Sequence, residues 1–304
     1  MQVLVLGAGA VGGYFGARLA EGGHDVTLVA RGANLEALQR DGLTLVLPDE
    51  TRRVGLRAVG DPADAPPPEL VLVCVKSYDT AAAAAALRPV VRPDTVILSL
   101  QNGVENEAVL ADLLGLPPLP VGLTFIGVEL VAPGRVHYTG RGEILFGEPD
   151  GSDSPRARHL AHAFAAAGVP HQLRRDILVV AWEKLAWNAA FNAVTTLTGA
   201  TVGAALALPA SRELILATMI ETDAVATASG IAVRRHRLAR VLAESADEMP
   251  DFATSMLQDL RRGRRLEHDA LNGAVVRAGA RAGIAAPWNR TLLALLARLD
   301  PGGR

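Results

Sequence analysis

The stretch "VLGAGAVGGYFG", residues 5–16, decides the fold of this 304-residue chain. It ends an apolar run, places glycines at positions 7, 9 and 12, and opens a helical segment that stops at the glycine pair 22–23. Further apolar runs with strand character occupy residues 25–31, 70–75 and 95–100, with helical segments between them. Strands that are apolar throughout and alternate with helices predict a parallel sheet that is covered on both faces.

The rest of the chain shows two other patterns. Strand-like segments turn at Pro48–Asp49, within residues 43–59, and at Pro133–Gly134, which predicts two hairpins. From about residue 176 onward strand patterns vanish and helical segments follow one another. The sequence therefore predicts an α/β fold class, in which an N-terminal Rossmann-type parallel-sheet domain precedes an all-α C-terminal domain. The predicted domains are residues 1–172 and residues 173–304.

The three glycines have the G-x-G-x-x-G spacing directly after a strand and at the start of a helix. In that context Gly7 allows a tight turn, Gly9 lets the backbone approach a pyrophosphate, and Gly12 lets helix and strand pack closely. The amides of the first helical turn then face the anion. The predicted cofactor-binding turn is completed by the residues between the glycines, Ala8, Ala10 and Val11. A glycine-rich turn without a ligand is the alternative.

The end of the second strand indicates which dinucleotide is bound. Proteins that bind NAD usually place an acidic side chain there, but this strand ends with Arg31, and Asp25 lies at its opposite end. A guanidinium can hold a 2′-phosphate with two N–H groups, so the sequence predicts NADP, bound as NADPH. Lys76 follows strand 70–75 at the same edge, where it would add charge near the cofactor or be a solvated loop lysine. Asn102 follows strand 95–100 and would point toward the nicotinamide, or be only a turn residue.

Lys184 is one of two lysines among the 30 Lys and Arg residues, and it lies in "AWEKLAWNAAFN", residues 181–192. On a helix, Lys184, Asn188 and Asn192 form one stripe about 12 Å long among apolar or small neighbours. A buried polar stripe is costly unless it lines a wet cleft or meets partners. The alternatives are a buried polar network or a lysine that extends to solvent. Because a partly desolvated lysine can release its proton and arginine cannot, we predict that Lys184 protonates the oxygen of a ketone substrate.

Charge and composition exclude several classes of partner. The net charge is −2 and no basic stripe stands out, which argues against nucleic acid and anionic membrane surfaces. No apolar window approaches a membrane span and the N-terminus has no signal-peptide pattern, so a cytoplasmic location is predicted. The single cysteine, Cys74, lies in an apolar run and the histidines are scattered, so no metal site is predicted.

Together these segments resemble the 2-dehydropantoate 2-reductase (ketopantoate reductase) family over essentially the whole chain. The resemblance rests on "GAGAVGG", "VKSYDT", "QNGVEN", "WEKLAWNAAFNAVTTLTG" and "SMLQDLRRGRRLEHDALNGAVV", of which the last two are far more specific than the glycine motif. It implies a Rossmann domain and an all-helical domain with the active site between them. It also implies the NADPH-dependent reduction of 2-dehydropantoate to pantoate, a step of pantothenate biosynthesis.

The resemblance further implies a role for individual residues. Arg31 would contact the 2′-phosphate, Lys76 would lie along the cofactor, and Asn102 would touch both cofactor and substrate. Lys184 matches the general acid of the family, and Glu267 would hydrogen-bond near the nicotinamide ribose. The remaining substrate contacts would come from Asn188, Asn192 and, for the carboxylate, Ser255.

The chain also departs from the family pattern. Well-studied members have a further substrate-binding asparagine about ten residues, or roughly three helical turns, after the position of Asn192, and here Val202 is nearest. The usual "TEID"-like run is "LEHD", which keeps Glu267 and changes its neighbour. The predicted partner is a small keto acid, but these departures leave its identity open. Another keto or hydroxy acid is an alternative substrate. A non-catalytic NADP-binding sensor is a second alternative, but it has no need for the polar stripe. A homodimer is a further expectation.

Overall fold

The computed structural model describes residues 1–303, without the side chain of Arg235. Contacts between residues divide the chain into two compact units. The first unit consists of Met1–Gln101 and Asn106–Ile177, and the second of Asn102–Glu105 and the chain from Leu178 onward. The short segment Asn102–Glu105 therefore belongs to the second unit, although the residues on both sides of it belong to the first.

The first unit alternates strands with helices over most of its length. In chain order these are β1 (Gln2–Leu6), α1 (Ala10–Glu21), β2 (Asp25–Val29), α2 (Gly32–Asp41), β3 (Leu43–Val46), β4 (Thr51–Val54), β5 (Arg57–Val59), β6 (Leu70–Val73), α3 (Thr80–Leu87), β7 (Val96–Ser99), α4 (Asn106–Leu114), β8 (Val121–Ala132), β9 (Arg135–Gly147), α5 (Pro155–Ala166) and β10 (His171–Leu173). Five of these strands pair in parallel in the order β5-β2-β1-β6-β7. The predicted parallel sheet is confirmed.

The parallel sheet is buried on both faces. Along β1, Val3 and Val5 belong to one apolar cluster, which includes residues of α1, β9 and α5. Leu4 and Leu6 belong to another, which includes residues of α3 and α4. Because successive side chains of a strand point to opposite faces, each cluster covers one side of the sheet. Full burial of each such side chain is worth about 1.5–3 kcal/mol, so the apolar strands stabilise the sheet that presents the glycine turn.

A second sheet of the first unit is built from the remaining strands. β8 and β9 form the predicted hairpin around Pro133–Gly134. β3 and β4 form the other predicted hairpin. The prediction that this hairpin extends to residue 59 is wrong, because Arg57–Val59 pairs in parallel with β2 instead. The hairpin needs only four residues on each side, and the chain that follows is free to pair with β2. β10, which pairs with β9, was not predicted.

The second unit is helical. Its elements are α6 (Ile177–Thr198, which begins at the last residue of the first unit), α7 (Val202–Ala207), α8 (Pro209–Ala228), α9 (Leu238–Glu248), α10 (Ser255–Arg261), a π-helical segment (Asp269–Gly273), α11 (Ala274–Ala282) and α12 (Pro287–Leu299). From residue 178 to residue 303 the structure contains no strand, so the predicted all-α region is confirmed. The boundary between domains at residues 172 and 173 stays a prediction.

Helix α6 is packed between two apolar clusters of the second unit. One cluster covers the helix face that carries Leu185 and Ala189, and the other covers the face that carries Phe191 and Val194. At about 100° per residue these faces are separated, on one side of the helix, by a strip that neither cluster covers. The strip begins at the position of Lys184.

Candidate active site

The glycine turn between β1 and α1 depends on the absence of a Cβ atom at its three glycines. Gly7 has φ +102°, and a Cβ there would lie 2.8 Å from the backbone nitrogen of Val75. A Cβ on Gly12 would lie 2.1 Å from the carbonyl oxygen of Gly7, so helix and turn touch directly. A Cβ on Gly9 would meet no atom within 4 Å. Gly7 and Gly12 therefore allow close packing within the protein. Gly9 instead leaves an open concavity against the backbone, and this concavity fits a dinucleotide phosphate.

The turn is held in place by neighbouring backbone and by one side chain. The amides of Gly7 and Ala8 donate to the carbonyl of Val29 at 3.2 and 3.0 Å. The side chain of Asn34 donates to the carbonyl of Ala8 at 2.8 Å and accepts the amide of Gly134 at 2.8 Å. Gly9 is the N-cap residue of α1, and Ala10 and Val11 begin that helix, whose first amides have no partner within the helix. The turn thus presents backbone donors at a fixed position.

Two basic residues follow the strands on either side of β1. Arg31 is exposed and is the N-cap residue of α2, just beyond the end of β2. Lys76 follows β6, and its carbonyl accepts the amide of Asp79 at 2.8 Å. Because β2 and β6 both neighbour β1 in the parallel sheet, both residues lie at the carboxyl edge of that sheet, on opposite sides of the glycine turn.

In the second unit, the strip on α6 carries Lys184, Asn188 and Asn192. Asn188 is 7% exposed and Asn192 is 2% exposed, whereas Lys184 is partly exposed. The helix spacing places all three within about 80° of one another. Amide groups are costly to bury unless they meet partners, and the two apolar clusters hold the helix in the position that buries Asn188 and Asn192. The strip is therefore a built polar feature of an otherwise apolar helix.

The acid–base properties of Lys184 differ from those of an ordinary lysine. Burial lowers the pKa of Lys184 to about 8, and the negative charge of Glu267 opposes that shift. The residue keeps some exposed surface, but the surrounding protein atoms desolvate the ammonium by more than the carboxylate stabilises it. Such a group is mostly protonated at neutral pH, yet it releases its proton more readily than a lysine at the ordinary value of 10.5. A general acid near neutral pH needs this combination.

Asn102 lies in the loop that follows β7 and belongs to the second unit. Val104, two residues further on, packs against the apolar cluster that includes Leu185 and Ala189 of α6. The sequence predicted that Asn102 follows a strand of the sheet and points toward the nicotinamide, or is only a turn residue. The structure groups it with the unit that contains Lys184 and Glu267.

Ser255 is brought toward the strip by its neighbour Thr254. The hydroxyls of Thr254 and Thr195 lie 2.8 Å apart, and Thr254 also caps α10 by accepting the amide of Leu257. Thr195 is about three helical turns beyond Lys184 and returns to the same face of α6. The exposed Ser255, as the first residue of α10, therefore stands near the C-terminal end of the strip.

Val202 offers nothing polar to a substrate. It is the first residue of α7, has no exposed surface, and packs in the apolar cluster that includes Phe191 and Val194. Its amide donates to the carbonyl of Phe252 at 3.0 Å. The residue nearest to the family's additional asparagine is thus part of the core.

Asn272 is hydrogen-bonded to helix α6, although no sequence motif pointed to it. Its buried side chain donates to the carbonyl of Ala189 on α6 at 2.9 Å and to Oδ1 of Asn289 at 3.0 Å. Glu221 in turn accepts the backbone amide of Asn289 at 2.8 Å and its side-chain amide at 2.9 Å. The only sequence signal was the place of Asn272 in "LEHDALNG", close to Glu267. Its partner Ala189 is 83 residues away in the chain, beyond the range of local pattern.

Metal binding, membrane crossing and thiol chemistry are three further possibilities for the described residues. Between residues 1 and 303 there is no group of three or more His, Cys, Asp and Glu residues arranged to hold a metal ion. None of the helices in that range combines the length and the apolar character that a bilayer crossing requires. Burial raises the pKa of Cys74 to about 12, so its thiol is poorly suited to act as a nucleophile.

Two family models match the chain. The model described as ketopantoate reductase PanE/ApbA matches residues 3–151, and the one described as ketopantoate reductase PanE/ApbA C terminal matches residues 176–300. The chain belongs to the ketopantoate reductase family. This confirms the resemblance found in the sequence, and like its relatives in the ketopantoate reductase family the protein is an oxidoreductase.

Individual relatives cover the chain from end to end. The 2-dehydropantoate 2-reductase of Halobacterium salinarum is 36% identical over 97% of this chain and 98% of its own length. The crystal structure of a PanE/ApbA family ketopantoate reductase from Ralstonia eutropha JMP134 is 37% identical, covers 100% of this chain and 99% of its own, and has a TM-score of 0.91. A structure of D-mandelate dehydrogenase with NADH and anilino(oxo)acetate has a TM-score of 0.92 over 99% of both chains, but at 21% identity this likeness concerns the ketopantoate reductase fold alone.

Proposed function

We propose that this member of the ketopantoate reductase family reduces 2-dehydropantoate to pantoate with NADPH. The observation that carries the proposal is the pKa of Lys184, which burial lowers to about 8 on a helix strip that also presents Asn188 and Asn192. A protein that only sensed NADP would need the glycine turn and Arg31. It would have no use for a lysine with a lowered pKa beside two buried amides.

The first unit supplies the groups that would bind the cofactor. The backbone from Gly7 to Gly12 would hold the pyrophosphate in the concavity left open at Gly9. A Rossmann-type fold accommodates either nicotinamide dinucleotide, so the choice falls to side chains at the end of β2. Arg31 stands there as an exposed guanidinium, which would pair with a 2′-phosphate, and Lys76 would add a second positive charge at the same edge. When bound, NADPH supplies the hydride.

The second unit supplies the groups that would act on the substrate. Lys184 would donate its proton to the ketone oxygen as negative charge develops there, which removes the cost of forming a free alkoxide. The negative charge of its neighbour Glu267 opposes the effect of burial on the pKa of Lys184, and Glu267 would also hydrogen-bond near the nicotinamide ribose. Asn102 would contact both cofactor and substrate.

The polar strip favours a substrate with a second polar group beyond the ketone. Asn188 and Asn192 lie one and two turns beyond Lys184, so they would hydrogen-bond a hydroxyl about 6–12 Å from the lysine backbone. Ser255, at the start of α10, would receive the carboxylate. The compound 2-dehydropantoate has this set of groups: a ketone, a carboxylate and a hydroxyl.

One observation favours a second candidate, the same reduction of a 2-keto acid that lacks the hydroxyl. Val202 is sealed in the apolar core, so it cannot replace the asparagine that other members have near this position. A site with one hydrogen-bond partner fewer discriminates less sharply between substrates with and without a hydroxyl.

The test is to compare kcat/KM for 2-dehydropantoate and for its deoxy analogue 2-keto-isovalerate, with NADPH as the reductant. We expect 2-dehydropantoate to be preferred at least tenfold, since one hydrogen bond to a buried partner is worth about 1.5 kcal/mol or more. Equal turnover of the two acids would favour the second candidate. Absence of turnover with 2-dehydropantoate, 2-keto-isovalerate and other 2-keto acids would contradict reduction altogether.

A further inference from the structure

Glu105 forms an ion-pair cluster that no motif in the sequence indicated. Its carboxylate accepts Nε of Arg277 at 3.0 Å and Nη2 of Arg277 at 2.7 Å through one oxygen, and Nη2 of Arg281 at 3.1 Å through the other. We refer to Glu105, Arg277 and Arg281 as the Glu105 cluster. All three belong to the second unit, and both arginines lie on α11.

The Glu105 cluster holds a loop whose two flanking elements belong to the first unit. The chain leaves β7 at Ser99 and enters α4 at Asn106, and both of those elements are in the first unit. Only the residues from Asn102 to Glu105 group with the helical unit. Two contacts account for this placement: Val104 packs against the apolar cluster beside α6, and Glu105 pairs with α11. Asn102 stands at the start of the segment held in this way.

Arg277 also holds the segment that follows Glu267. Its Nη1 donates to Oδ1 of Asp269 at 2.8 Å, and its Nη2 donates to the carbonyl of Asp269 at 2.9 Å. Asp269 begins the π-helical segment, two residues after Glu267. A Cβ on Gly273 would lie 2.5 Å from the Asp269 carboxylate, so the glycine leaves room for this pair. One guanidinium therefore joins the two chain segments that carry Asn102 and Glu267.

We propose that Glu105 and Arg277 are positioning residues, which hold Asn102 and Glu267 at fixed places in the unit that carries Lys184. Neither residue is assigned contact with substrate or cofactor. The inference rests on the proposed function, because it gives Asn102 and Glu267 their purpose. The side chain of Glu105 is 28% exposed and that of Arg277 is 41% exposed, so solvent weakens the attraction. The planar fork of Arg277, which meets Glu105 and Asp269 together, supplies the geometric restraint.

The test uses four single variants of the full chain: Glu105→Gln, Arg277→Gln, Arg277→Lys and the control Arg240→Gln. Arg240 is an exposed arginine of the same unit that pairs with Glu244 on α9. We expect Glu105→Gln and Arg277→Gln to lower kcat/KM for 2-dehydropantoate about tenfold to a hundredfold, because a displacement of about 1 Å in a positioning group has costs of this size. Arg277→Lys keeps the charge and loses the fork, so it should fall between these and wild type. Arg240→Gln should match wild type within about twofold.

A double variant separates positioning from general destabilisation. If Glu105 acts through Asn102, then in an Asn102→Ala background the change Glu105→Gln should lower kcat/KM by no more than about twofold further. Equal losses in the two backgrounds would contradict positioning of Asn102. Wild-type kcat/KM in Glu105→Gln, measured in an enzyme that reduces 2-dehydropantoate normally, would contradict it as well.

Amide hydrogen exchange tests the Glu105 cluster without any turnover. We expect the backbone amides of residues 102–105 to exchange about tenfold faster in Glu105→Gln than in wild type, while Arg240→Gln leaves them unchanged. An enzyme without keto-acid reductase activity would contradict the proposed function, and unchanged exchange at 102–105 would contradict the restraint. The two failures are therefore distinguishable.

Discussion

The glycine turn of the first unit and helix α6 of the second unit are built in opposite ways. At the turn, side chains are missing: Gly9 leaves a concavity open, and Gly12 brings the helix against the carbonyl of Gly7. On α6, polar side chains are present where apolar side chains would have a lower free-energy cost of burial. Burial also lowers the pKa of Lys184 to about 8. A substitution in the turn should act through added volume, whereas a substitution at Lys184 should act through proton chemistry. We therefore expect that each region can be disrupted without affecting the other.

The largest effect is expected at Lys184. Lys184→Ala should lower kcat by roughly 10²–10⁴, the usual range for loss of a general acid. Lys184→Arg should not restore the rate, because arginine keeps the charge and does not release the proton. Steady-state kinetics with NADPH and 2-dehydropantoate measures both. NADPH affinity, determined by fluorescence titration, should change little, since Lys184 is not among the predicted cofactor-binding residues. A near-normal kcat in Lys184→Arg would contradict proton donation by Lys184 and would indicate a purely electrostatic role.

The glycine turn should respond to volume, and in two distinguishable ways. Gly12→Ala places a methyl group against the carbonyl of Gly7, so it should destabilise the fold by about 1–3 kcal/mol and weaken NADPH binding. Gly9→Ala points its methyl group into open space, so the melting temperature should stay within about 2 °C of wild type while NADPH binding weakens at least tenfold. Thermal unfolding and cofactor titration of the two variants make the comparison. Unimpaired NADPH binding by Gly9→Ala would show that no pyrophosphate approaches this concavity.

A smaller effect is expected at Arg31. Loss of one charge-assisted contact costs about 1.5–3 kcal/mol, so Arg31→Ala should weaken NADPH binding roughly tenfold to a hundredfold and leave NADH binding almost unchanged. The measurement is the dissociation constant of each cofactor for wild type and variant. If wild type binds NADH as tightly as NADPH, the arginine does not select the cofactor.

The two regions are alike in that the sequence predicts both of them from local spacing. The turn is local: three glycines, a strand before them and a helix after them all lie within residues 2–21. The strip on α6 is equally local, because three polar residues repeat at every fourth position in an apolar helix. Short spacing carries the physical information in both cases, so the parallel sheet, the turn and the position of the strip could be predicted.

Features that depend on distant pairs could not be predicted in the same way. Arg277 and Glu105 are 172 residues apart, and Asn272 reaches Ala189 across 83 residues. Neither pair leaves a period or a motif in the sequence. The strand Arg57–Val59 was assigned to the wrong sheet for a related reason, because three residues with mixed polarity do not specify a partner. Tertiary packing decided each of these contacts.

The most direct test of the central claim, that Lys184 is a general acid with a lowered pKa, is the pH dependence of kcat/KM for 2-dehydropantoate reduction. Below the pKa the ammonium holds its proton and can donate it, and above the pKa the acid form is lost. Because burial lowers the pKa of Lys184 to about 8, we predict constant kcat/KM from pH 6 to about 7.5 and a tenfold fall per pH unit above about 8. A profile that stays flat to pH 10, or the same fall in Lys184→Arg, would contradict the claim.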